Sequence, residues 1–395
     1  MIRQDMYTYG AASCGIRELH EYGVQQAAKI GAEQVYDFTI GNPSVPTPDA
    51  VTQKFSELLQ TASAQSLHSY TPAAGDLAVR NAIAKDLSLR SSVTIRGENL
   101  FLTCGSSSAL TAVIWALAVP NTQFLVQAPY YPEYRPFVEA SGASFVAVPA
   151  DKAHFDLNVS AIAERVNEHT QAVIVNSPNN PSGVVYSRET LGKLAAVLEE
   201  KSRVFDHPIY IISDEPYREL VYDGAEVSFI PELYANTIVC YSYSKSLSMP
   251  GDRLGYFCIP DSVTDAEALY LAASGAARIQ GHICAPSLLQ KVIAACTDVR
   301  PDLTVYNKNR NTLYDALTAY GYRCVKPQGA FYLFVQSPGG DGKEFSDRAK
   351  QENLLVVPGE DFGVDDYVRV STCVDSAMLK RSLPVFEKLM QSYQK

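Results

Sequence analysis

The sequence predicts an α/β protein in which a mostly parallel sheet lies between helices, together with a smaller α+β domain. Short β-branched or apolar runs recur between about residues 93 and 260, and longer helical patterns separate them. This alternation is typical of a parallel sheet that is covered on both faces. After about residue 286 the pattern changes to a long helix, short strands and a closing helix. At 395 residues, the chain is long enough for about two domains.

The apolar runs are the predicted strands of the sheet, and they are apolar enough to be buried on both faces. In chain order they are NLFLTC, QFLVQAP, SFVAVPA, AVIVNSP, IYIISDEP, TIVCYSYS and LGYFCIP. Two of the intervening helices are predicted in GSSSALTAVIWALA and SRETLGKLAAVLEEKSR, the second of which has apolar residues at helical spacing. The single tryptophan, Trp115, belongs to the first of these helices and is expected in the core.

The two ends of the chain are expected to fold together. The large domain is predicted to span residues 46–285, and the small domain to combine residues 1–45 with residues 286–395. The N-terminal part contains an amphipathic helix from Ile16 to Ile30 and the irregular segment FTIGNPSVPTP. The C-terminal part contains the helical run NKNRNTLYDALTAYG and the segments LLVVPGEDFG and YVRVST.

Composition argues against several classes of function. Lys and Arg number 33 and Asp and Glu 43, so the formal net charge is −10, opposite to that of an electrostatic nucleic-acid binder. No apolar stretch reaches about 18 residues, and the start MIRQDMYTYG lacks a secretory core, which predicts a cytoplasmic protein without a membrane partner. The cysteines, Cys14 among them, form no C-x-x-C pair, and the histidines lack zinc-type spacing. Reduced thiols and no metal are therefore expected.

Four predicted strands end in loops that suit a ligand site. In an open α/β sheet, ligands bind beyond the carboxyl ends of the strands. The loops are CGSSSAL (104–110), NSPNNPSG (176–183), SDEPYREL (213–220) and YSYSKSLSMPGDRLGY (241–256). CGSSSAL does not match the dinucleotide motif G-x-G-x-x-G, and GGDGKE (339–344) does not match a P-loop. A nucleotide is therefore not the favoured ligand.

Each loop also has an ordinary structural interpretation. CGSSSAL could be a serine-capped helix start, or an anion site of free amides and hydroxyls. Asp214 could cap a helix, although a carboxylate beside a buried strand would otherwise need a positive partner or several donors. Lys245 could be a solvated surface residue, or a nucleophilic amine with Arg253 nearby as a phosphate ligand. Taken together, an anion cradle, a carboxylate, an Asn-rich turn and a lysine are the groups that pyridoxal phosphate requires.

With these motifs the chain resembles the class I/II aminotransferases of the aspartate aminotransferase superfamily, which have the fold type I of pyridoxal phosphate enzymes. The resemblance runs from FTIGNPSVPTP to YVRVST, and its most specific elements are S-x-S-K followed by G-D-R-L-G-Y, and P-N-N-P-S-G. It implies a pyridoxal 5′-phosphate-dependent enzyme that moves an amino group from an L-amino acid to a 2-oxo acid. The implied mechanism is ping-pong, through an internal aldimine and pyridoxamine phosphate.

The resemblance also implies roles for individual residues. The implied catalytic residues are Lys245, which would carry the internal aldimine, Asp214, which would pair with the pyridine nitrogen, and Tyr217. Those implied to bind the cofactor are Ser106, Ser107, Tyr131 (or its neighbour Tyr130), Asn180, Asp214, Tyr217, Ser242, Lys245 and Arg253, with Tyr70 reaching the phosphate of the neighbouring subunit. Those implied to bind the substrate are Arg369, which would grip the α-carboxylate, Gly41, Asn42 and Asn180.

Some positions depart from the family pattern. Tyr131 stands where relatives have a stacking tryptophan, and Ser106 to Ser108 replace a glycine followed by Thr, Lys or Ala. Arg278 lies near the region from which one subgroup uses a partner-subunit arginine to grip a distal carboxylate, and it could equally be a surface or interface residue. Arg17, in CGIREL, resembles a motif at the active-site mouth of another subgroup. A role for Tyr70 in a neighbouring site requires a two-fold homodimer.

Two other functions are weighed against the aminotransferase. A carbon–sulfur β-lyase acting on cystathionine-like substrates would share Lys245 and Arg369, and only the aminotransferase character of PNNPSG and GDRLGY argues against it. Some transcription regulators carry an aminotransferase-like domain behind a DNA-binding domain. Here only about 45 residues precede the family-like region and the charge is acidic, which disfavours DNA binding.

Overall fold

The computed structural model describes residues 1–11 and 15–394, so Cys14 lies outside the described residues. In chain order its helices are α1 (Gln4–Ala11), α2 (Gly15–Ile30), α3 (Asp49–Thr61), α4 (Ala64–His68), α5 (Leu77–Leu89), α6 (Ser106–Leu117), α7 (Tyr134–Ala140), α8 (Val159–Arg165), α9 (Arg188–Phe205), α10 (Tyr243–Ser246), α11 (Ala266–Ile279), α12 (Ser287–Ala294), α13 (Thr304–Tyr320), α14 (Gly342–Gln351) and α15 (Ser376–Tyr393). Across these ranges, no helix combines the length and the apolar character that crossing a bilayer would require.

In the described part of the chain the strands form three sheets. In chain order they are β1 (Tyr36–Asp37), β2 (Leu100–Thr103), β3 (Gln123–Gln127), β4 (Ser144–Val148), β5 (Thr170–Asn176), β6 (Tyr210–Asp214), β7 (Thr237–Ser242), β8 (Gly255–Cys258), β9 (Arg323–Cys324), β10 (Tyr332–Gln336), β11 (Leu354–Leu355), β12 (Val357–Pro358) and β13 (Tyr367–Ser371). Six of the seven apolar runs predicted from the sequence contain a whole strand, and the seventh, AVIVNSP, contains all of β5 except its first two residues.

The largest sheet has the strand order β2-β8-β7-β6-β5-β3-β4. It is parallel except for β8, which runs antiparallel to β2 and β7. Successive residues of a strand point to opposite faces, and β2 shows this clearly. Phe101 packs in one hydrophobic cluster with α6, whereas Leu100 and Leu102 pack in another with α5 and α12. The sheet is therefore covered on both faces, and the predicted α/β class is confirmed.

The chain ends meet around a second, four-stranded antiparallel sheet of order β12-β13-β10-β9. The short strand β1 pairs in parallel with β11, and Phe38, just after β1, packs in one cluster with α13 and α15. This pairing brings the N-terminal segment beside the C-terminal part of the chain. Helix α12 instead packs in one cluster with α5 and the core of the large sheet. The division at residues 45/46 and 285/286 stays a proposal.

The expectation that Trp115 lies in the core was wrong. Trp115 is on α6 and is 37% exposed in the single chain. Helix α6 is apolar around most of its circumference, so composition does not reveal which side is buried. Ala109, Ala112 and Val113 make up part of the buried face, and Trp115 lies outside it.

Candidate active site

A cavity of about 340 Å³ lies beside the carboxyl ends of β5, β6 and β7 and the first turn of α6. It is the place where the topology of an open α/β sheet favours a ligand. The predicted site residues that line it are Gly41, Ser106, Ser107, Tyr131, Asn180, Asp214, Tyr217, Ser242, Lys245, Arg253 and Arg369. Residues that are far apart in the chain therefore meet at one site.

Two of the predicted site residues do not line this cavity. Asn42 is exposed on the loop that follows Gly41, and Tyr70 is 94% exposed on the surface of the chain. Tyr131 lines the cavity, whereas its neighbour Tyr130 is buried without lining it. Of the two arginines that were compared with subgroups of the family, Arg17 lines the cavity and Arg278 is exposed on α11, outside it.

Lys245 lies on the short helix α10, directly after β7. Its Nζ donates a hydrogen bond of 2.6 Å to the carbonyl oxygen of Gly41. Burial lowers the pKa of Lys245 to about 8, and the positive charges of Arg369 and Arg253 act in the same direction while Cys373 opposes them. A lysine with a lowered pKa supplies a neutral, nucleophilic amine near neutral pH.

Asp214 is the last residue of β6. Its Oδ2 accepts a hydrogen bond of 2.6 Å from the hydroxyl of Tyr134, and its buried Oδ1 has no hydrogen-bond partner among the described residues. Burial raises the pKa of Asp214 to about 7, and the charge of Glu215 adds to this, while the Tyr134 hydrogen bond opposes it. A buried, unpaired carboxylate oxygen needs a donor, preferably a cationic one.

The turn at the start of α6 has the groups that an anion site requires. Helix α6 begins at Ser106 after Gly105, whose positive φ of 86° favours glycine. A Cβ on Gly105 would lie 2.6 Å from Nη2 of Arg253, so the guanidinium packs against the backbone of this turn. The free amides at the start of a helix, the hydroxyls of Ser106 and Ser242, and a guanidinium together suit a phosphate.

Arg369, on β13, is buried and forms no ion pair with any described residue. Its Nη1 donates to Oδ1 of Asn180 at 3.0 Å and its Nη2 to the carbonyl oxygen of Thr39 at 2.5 Å. The buried Nε has no hydrogen-bond partner in the described part of the chain. Burying an uncompensated charge is costly, so an anion such as a carboxylate would be favourable at this point.

Several residues of the site were not predicted from the sequence. Asn176 fixes two predicted residues, because its Nδ2 donates to the carbonyl oxygen of Asp214 at 2.9 Å and its Oδ1 accepts from the amide of Asn180 at 2.8 Å. It opens the NSPNNPSG loop, so its position was a usable signal. Tyr134 belongs to APYYPEY, but nothing in that segment marks it as the partner of Asp214. Tyr332 carries no sequence signal.

The residues present fit a phosphorylated pyridine aldehyde together with a carboxylate substrate. The unpaired Oδ1 of Asp214 suits a protonated ring nitrogen, and the turn at Ser106 suits a phosphate. The amine of Lys245 suits an aldehyde carbon, and the unpaired Nε of Arg369 suits a second anion. Pyridoxal phosphate and an amino acid have these groups.

Comparisons with known proteins agree with this geometry. A family model described as "Aminotransferase class I and II" matches residues 33–385. The chain is 30% identical over 384 residues to a probable N-acetyl-LL-diaminopimelate aminotransferase of Bacillus subtilis, covering 94% of this chain and 93% of that protein.

Solved structures are also similar. The crystal structure of an aminotransferase from Eubacterium rectale superposes with a TM-score of 0.98 at 48% identity, covering all of both chains. The aspartate aminotransferase of Thermotoga maritima superposes with a TM-score of 0.87 at 26% identity, over 99% of this chain and 100% of that one.

Proposed function

The chain belongs to the class I and II aminotransferases, a family of pyridoxal-phosphate-dependent enzymes, and from this premise we propose how its own residues carry out the reaction. The protein is an aminotransferase, which moves an amino group from an amino acid to a 2-oxo acid. The relatives named above are all aminotransferases, and nothing in them supports the β-lyase or the DNA-binding alternative.

Pyridoxal 5′-phosphate is the proposed cofactor of this chain. Ser106, Ser107, Ser242 and Arg253 would hold its phosphate, because they combine a helix start with hydroxyls and a guanidinium. When bound, the cofactor supplies a pyridine ring that accepts the electron pair left at Cα when a proton departs.

Asp214 carries the proposal, because it lines the cavity and its buried Oδ1 has no hydrogen-bond partner among the described residues. Its carboxylate would accept a hydrogen bond from the ring nitrogen and keep that nitrogen protonated. Tyr134 holds the other oxygen, so the carboxylate cannot rotate freely. Tyr217 and Asn180 would donate to the phenolic oxygen of the ring, and Tyr131 would cover its face.

Lys245 is the proposed acid and base. The free amine of Lys245, held in the cavity by its own chain, would take the proton from Cα of the substrate. Its lowered pKa supports this role, since it makes the fraction of neutral amine near neutral pH larger than in an ordinary lysine. Gly41, whose carbonyl oxygen accepts from Nζ, would keep the amine on the cavity side.

Arg369 is the proposed receptor for the α-carboxylate of both substrates. A guanidinium binds a carboxylate through two parallel hydrogen bonds, which a lysine cannot reproduce. The bonds to Asn180 and Thr39 hold the guanidinium in place. The fixed carboxylate would then determine which bond of Cα is broken, and so favour deprotonation over decarboxylation.

The preferred amino donor depends on the residues at the entrance of the cavity. Arg17 and Glu133 both line it, and neither forms an ion pair with a described residue. Two of the relatives are named for aspartate or N-acetyl-LL-diaminopimelate, which are amino acids with a second carboxylate. We propose that Arg17 is available to such a carboxylate.

A homodimer in which Tyr70 completes the neighbouring site is the proposed assembly. Support comes from the exposure of Tyr70, which is free to contact another subunit.

The central experiment compares the wild type with Lys245→Ala. The wild type should transfer amino groups to 2-oxoglutarate and retain a borohydride-fixed pyridoxyl group on Lys245. The alanine variant should fold and lose at least about a thousandfold in kcat. Lys193→Ala, on an exposed face of α9, is the matched control. Normal turnover in Lys245→Ala would refute the mechanism, and pyruvate and ammonia released from L-cystathionine without an acceptor would favour the lyase.

A further inference from the structure

Tyr332 is a buried residue that lines the cavity at the start of β10. We propose that it is a positioning residue with two separable functions. Its ring orients Arg369 toward the substrate carboxylate, and its hydroxyl orients Tyr217 toward the cofactor. This inference rests on the proposed function, because it assigns a role toward the same two ligands.

The position of the ring follows from the pairing of β10 with β13. Tyr332 lies opposite Ser371, and Phe334 lies opposite Arg369. Tyr332 and Arg369 are therefore diagonal neighbours on one face of the sheet, a spacing that large side chains can bridge. The guanidinium carbon of Arg369 lies 4.5 Å from the centroid of the Tyr332 ring. Together with the Phe362 ring, 5.0 Å from the same carbon, this contact restricts the plane of the guanidinium, while Nε has no hydrogen-bond partner among the described residues.

The hydroxyl of Tyr332 reaches a different part of the site. It lies 3.1 Å from the hydroxyl of Tyr217, and either oxygen can be the donor. Burial raises the pKa of Tyr332 to about 12 and that of Tyr217 well above its ordinary value, so both keep their protons at neutral pH. The two hydroxyls carry two protons, and only one of these is used in the hydrogen bond between them. The other proton is available to another acceptor. The phenolic oxygen of the cofactor is the acceptor that the proposed function places there.

The same hydroxyl also packs against the loop that faces Lys245. A Cβ built on Gly41 would lie 1.7 Å from Oη of Tyr332, so only glycine fits at this position. The carbonyl oxygen of Gly41 accepts the hydrogen bond from Nζ of Lys245. One side chain thus contacts the carboxylate arginine, the tyrosine beside the cofactor and the loop that holds the lysine.

The two functions can be separated by substitution. Tyr332→Phe keeps the ring and removes the hydroxyl, so kcat should fall about three- to tenfold while KM for the amino donor changes less than about twofold. Tyr332→Leu removes the ring as well. It should also raise KM and the dissociation constant of a non-reactive carboxylate about five- to twentyfold, because Arg369 loses the closer of its two aromatic contacts and keeps only Phe362, at 5.0 Å.

The test uses holoenzyme and a donor that the wild type accepts. Kinetics give kcat and KM, and a titration with succinate, followed by the absorbance of the bound cofactor, gives carboxylate affinity without turnover. The matched control is Tyr322→Phe, which removes a buried hydroxyl that donates to the carbonyl oxygen of Phe386 in another cluster, on α15. It should leave kcat, KM and succinate affinity unchanged.

Each outcome decides a different point. Wild-type kcat in Tyr332→Phe, or wild-type succinate affinity in a folded Tyr332→Leu, would overturn the inference. Should the leucine variant not fold, Tyr332→Met fills a similar volume and takes its place in the succinate titration. A wild type that neither transfers amino groups nor binds succinate would instead contradict the proposed function itself.

Discussion

The hydroxyl of Tyr134 donates a 2.6 Å hydrogen bond to Oδ2 of Asp214, while Oδ1 of the same carboxylate has no partner among the described residues. Tyr134 thus orients the carboxylate, and only one of its two oxygens is hydrogen-bonded within the described residues. Because burial raises its pKa to about 7, it is a group whose protonation should respond strongly to the arrival of a cationic ring.

Asp214 should make the stability of the cofactor-free protein depend on pH. Its pKa is about 7 in the folded chain against an ordinary 3.8. Between about pH 4 and pH 7 the folded protein therefore holds a proton that the unfolded chain has released. Unfolding releases this proton, so the contribution of Asp214 to stability falls as pH rises, by at most about 4 kcal/mol.

Urea unfolding of the cofactor-free wild type and of Asp214→Asn, at pH 5 and pH 8, measures this contribution. The wild type should lose stability relative to the variant at the higher pH, and added pyridoxal phosphate should reduce the difference. Asp298→Asn, at an exposed position, is the control and should follow the wild type. Parallel pH profiles of wild type and Asp214→Asn would contradict the prediction.

Much of this site could be predicted from the sequence, because strand ends and loop motifs determine it. Asp214 is the last residue of β6 and Lys245 lies on the short helix directly after β7, and parallel neighbouring strands bring their carboxyl ends together. Tyr134 and Tyr332 could not be predicted in the same way. The contact of Tyr134 with Asp214 depends on the direction of the tyrosine side chain, and that of Tyr332 with Arg369 depends on the register of β10 against β13. Only the folded chain defines these features. The prediction that Trp115 lies in the core was wrong for a related reason, since the sequence of an apolar helix does not reveal which side is exposed.

Lys245 should capture pyridoxal phosphate with an unusual pH profile. Burial lowers its pKa to about 8, and the attacking amine must be neutral. The rate of capture should therefore rise about tenfold for each pH unit below 8 and level off above it. Stopped-flow absorbance of the cofactor-free protein from pH 6 to pH 10 measures this rate. The comparison is Nα-acetyl-lysine in solution, which keeps a free side-chain amine. If the rate for the protein rises in parallel with that of Nα-acetyl-lysine up to pH 10, the lowered pKa of Lys245 is refuted.

Tyr70 should act in the neighbouring subunit. Tyr70→Phe is expected to release pyridoxal phosphate about tenfold faster, because a hydrogen bond to a charged phosphate is lost. Mixed dimers then locate the residue. A dimer of one Lys245→Ala subunit and one Tyr70→Phe subunit would contain one site with both its own Lys245 and the partner's Tyr70. The mixture should regain cofactor retention and activity at that site. No recovery on mixing would mean that Tyr70 acts within its own chain or not at all.

Arg17 should favour donors with a second carboxylate. It lines the entrance and has no ion pair with a described residue, while Arg278 lies outside the cavity of its own chain. Because the entrance is open to solvent, the attraction is screened, and Arg17→Gln should lower kcat/KM for aspartate or glutamate only about two- to fivefold relative to alanine. Dividing kcat/KM for aspartate or glutamate by that for alanine isolates the effect of the side-chain carboxylate, because all three donors share the contact with Arg369.

Arg278→Gln, measured on the same donors, separates the two arginines. If Arg17 meets the distal carboxylate, Arg278→Gln should leave the ratio of glutamate to alanine unchanged, and raising the salt concentration should weaken the preference in wild type but not in Arg17→Gln. A ratio that falls in Arg278→Gln and holds in Arg17→Gln would assign the carboxylate to Arg278, which could then reach it only across a dimer. Glu133→Gln tests the opposite change of charge. Because it removes a negative charge from the same entrance, it should raise the ratio of kcat/KM for glutamate to that for alanine.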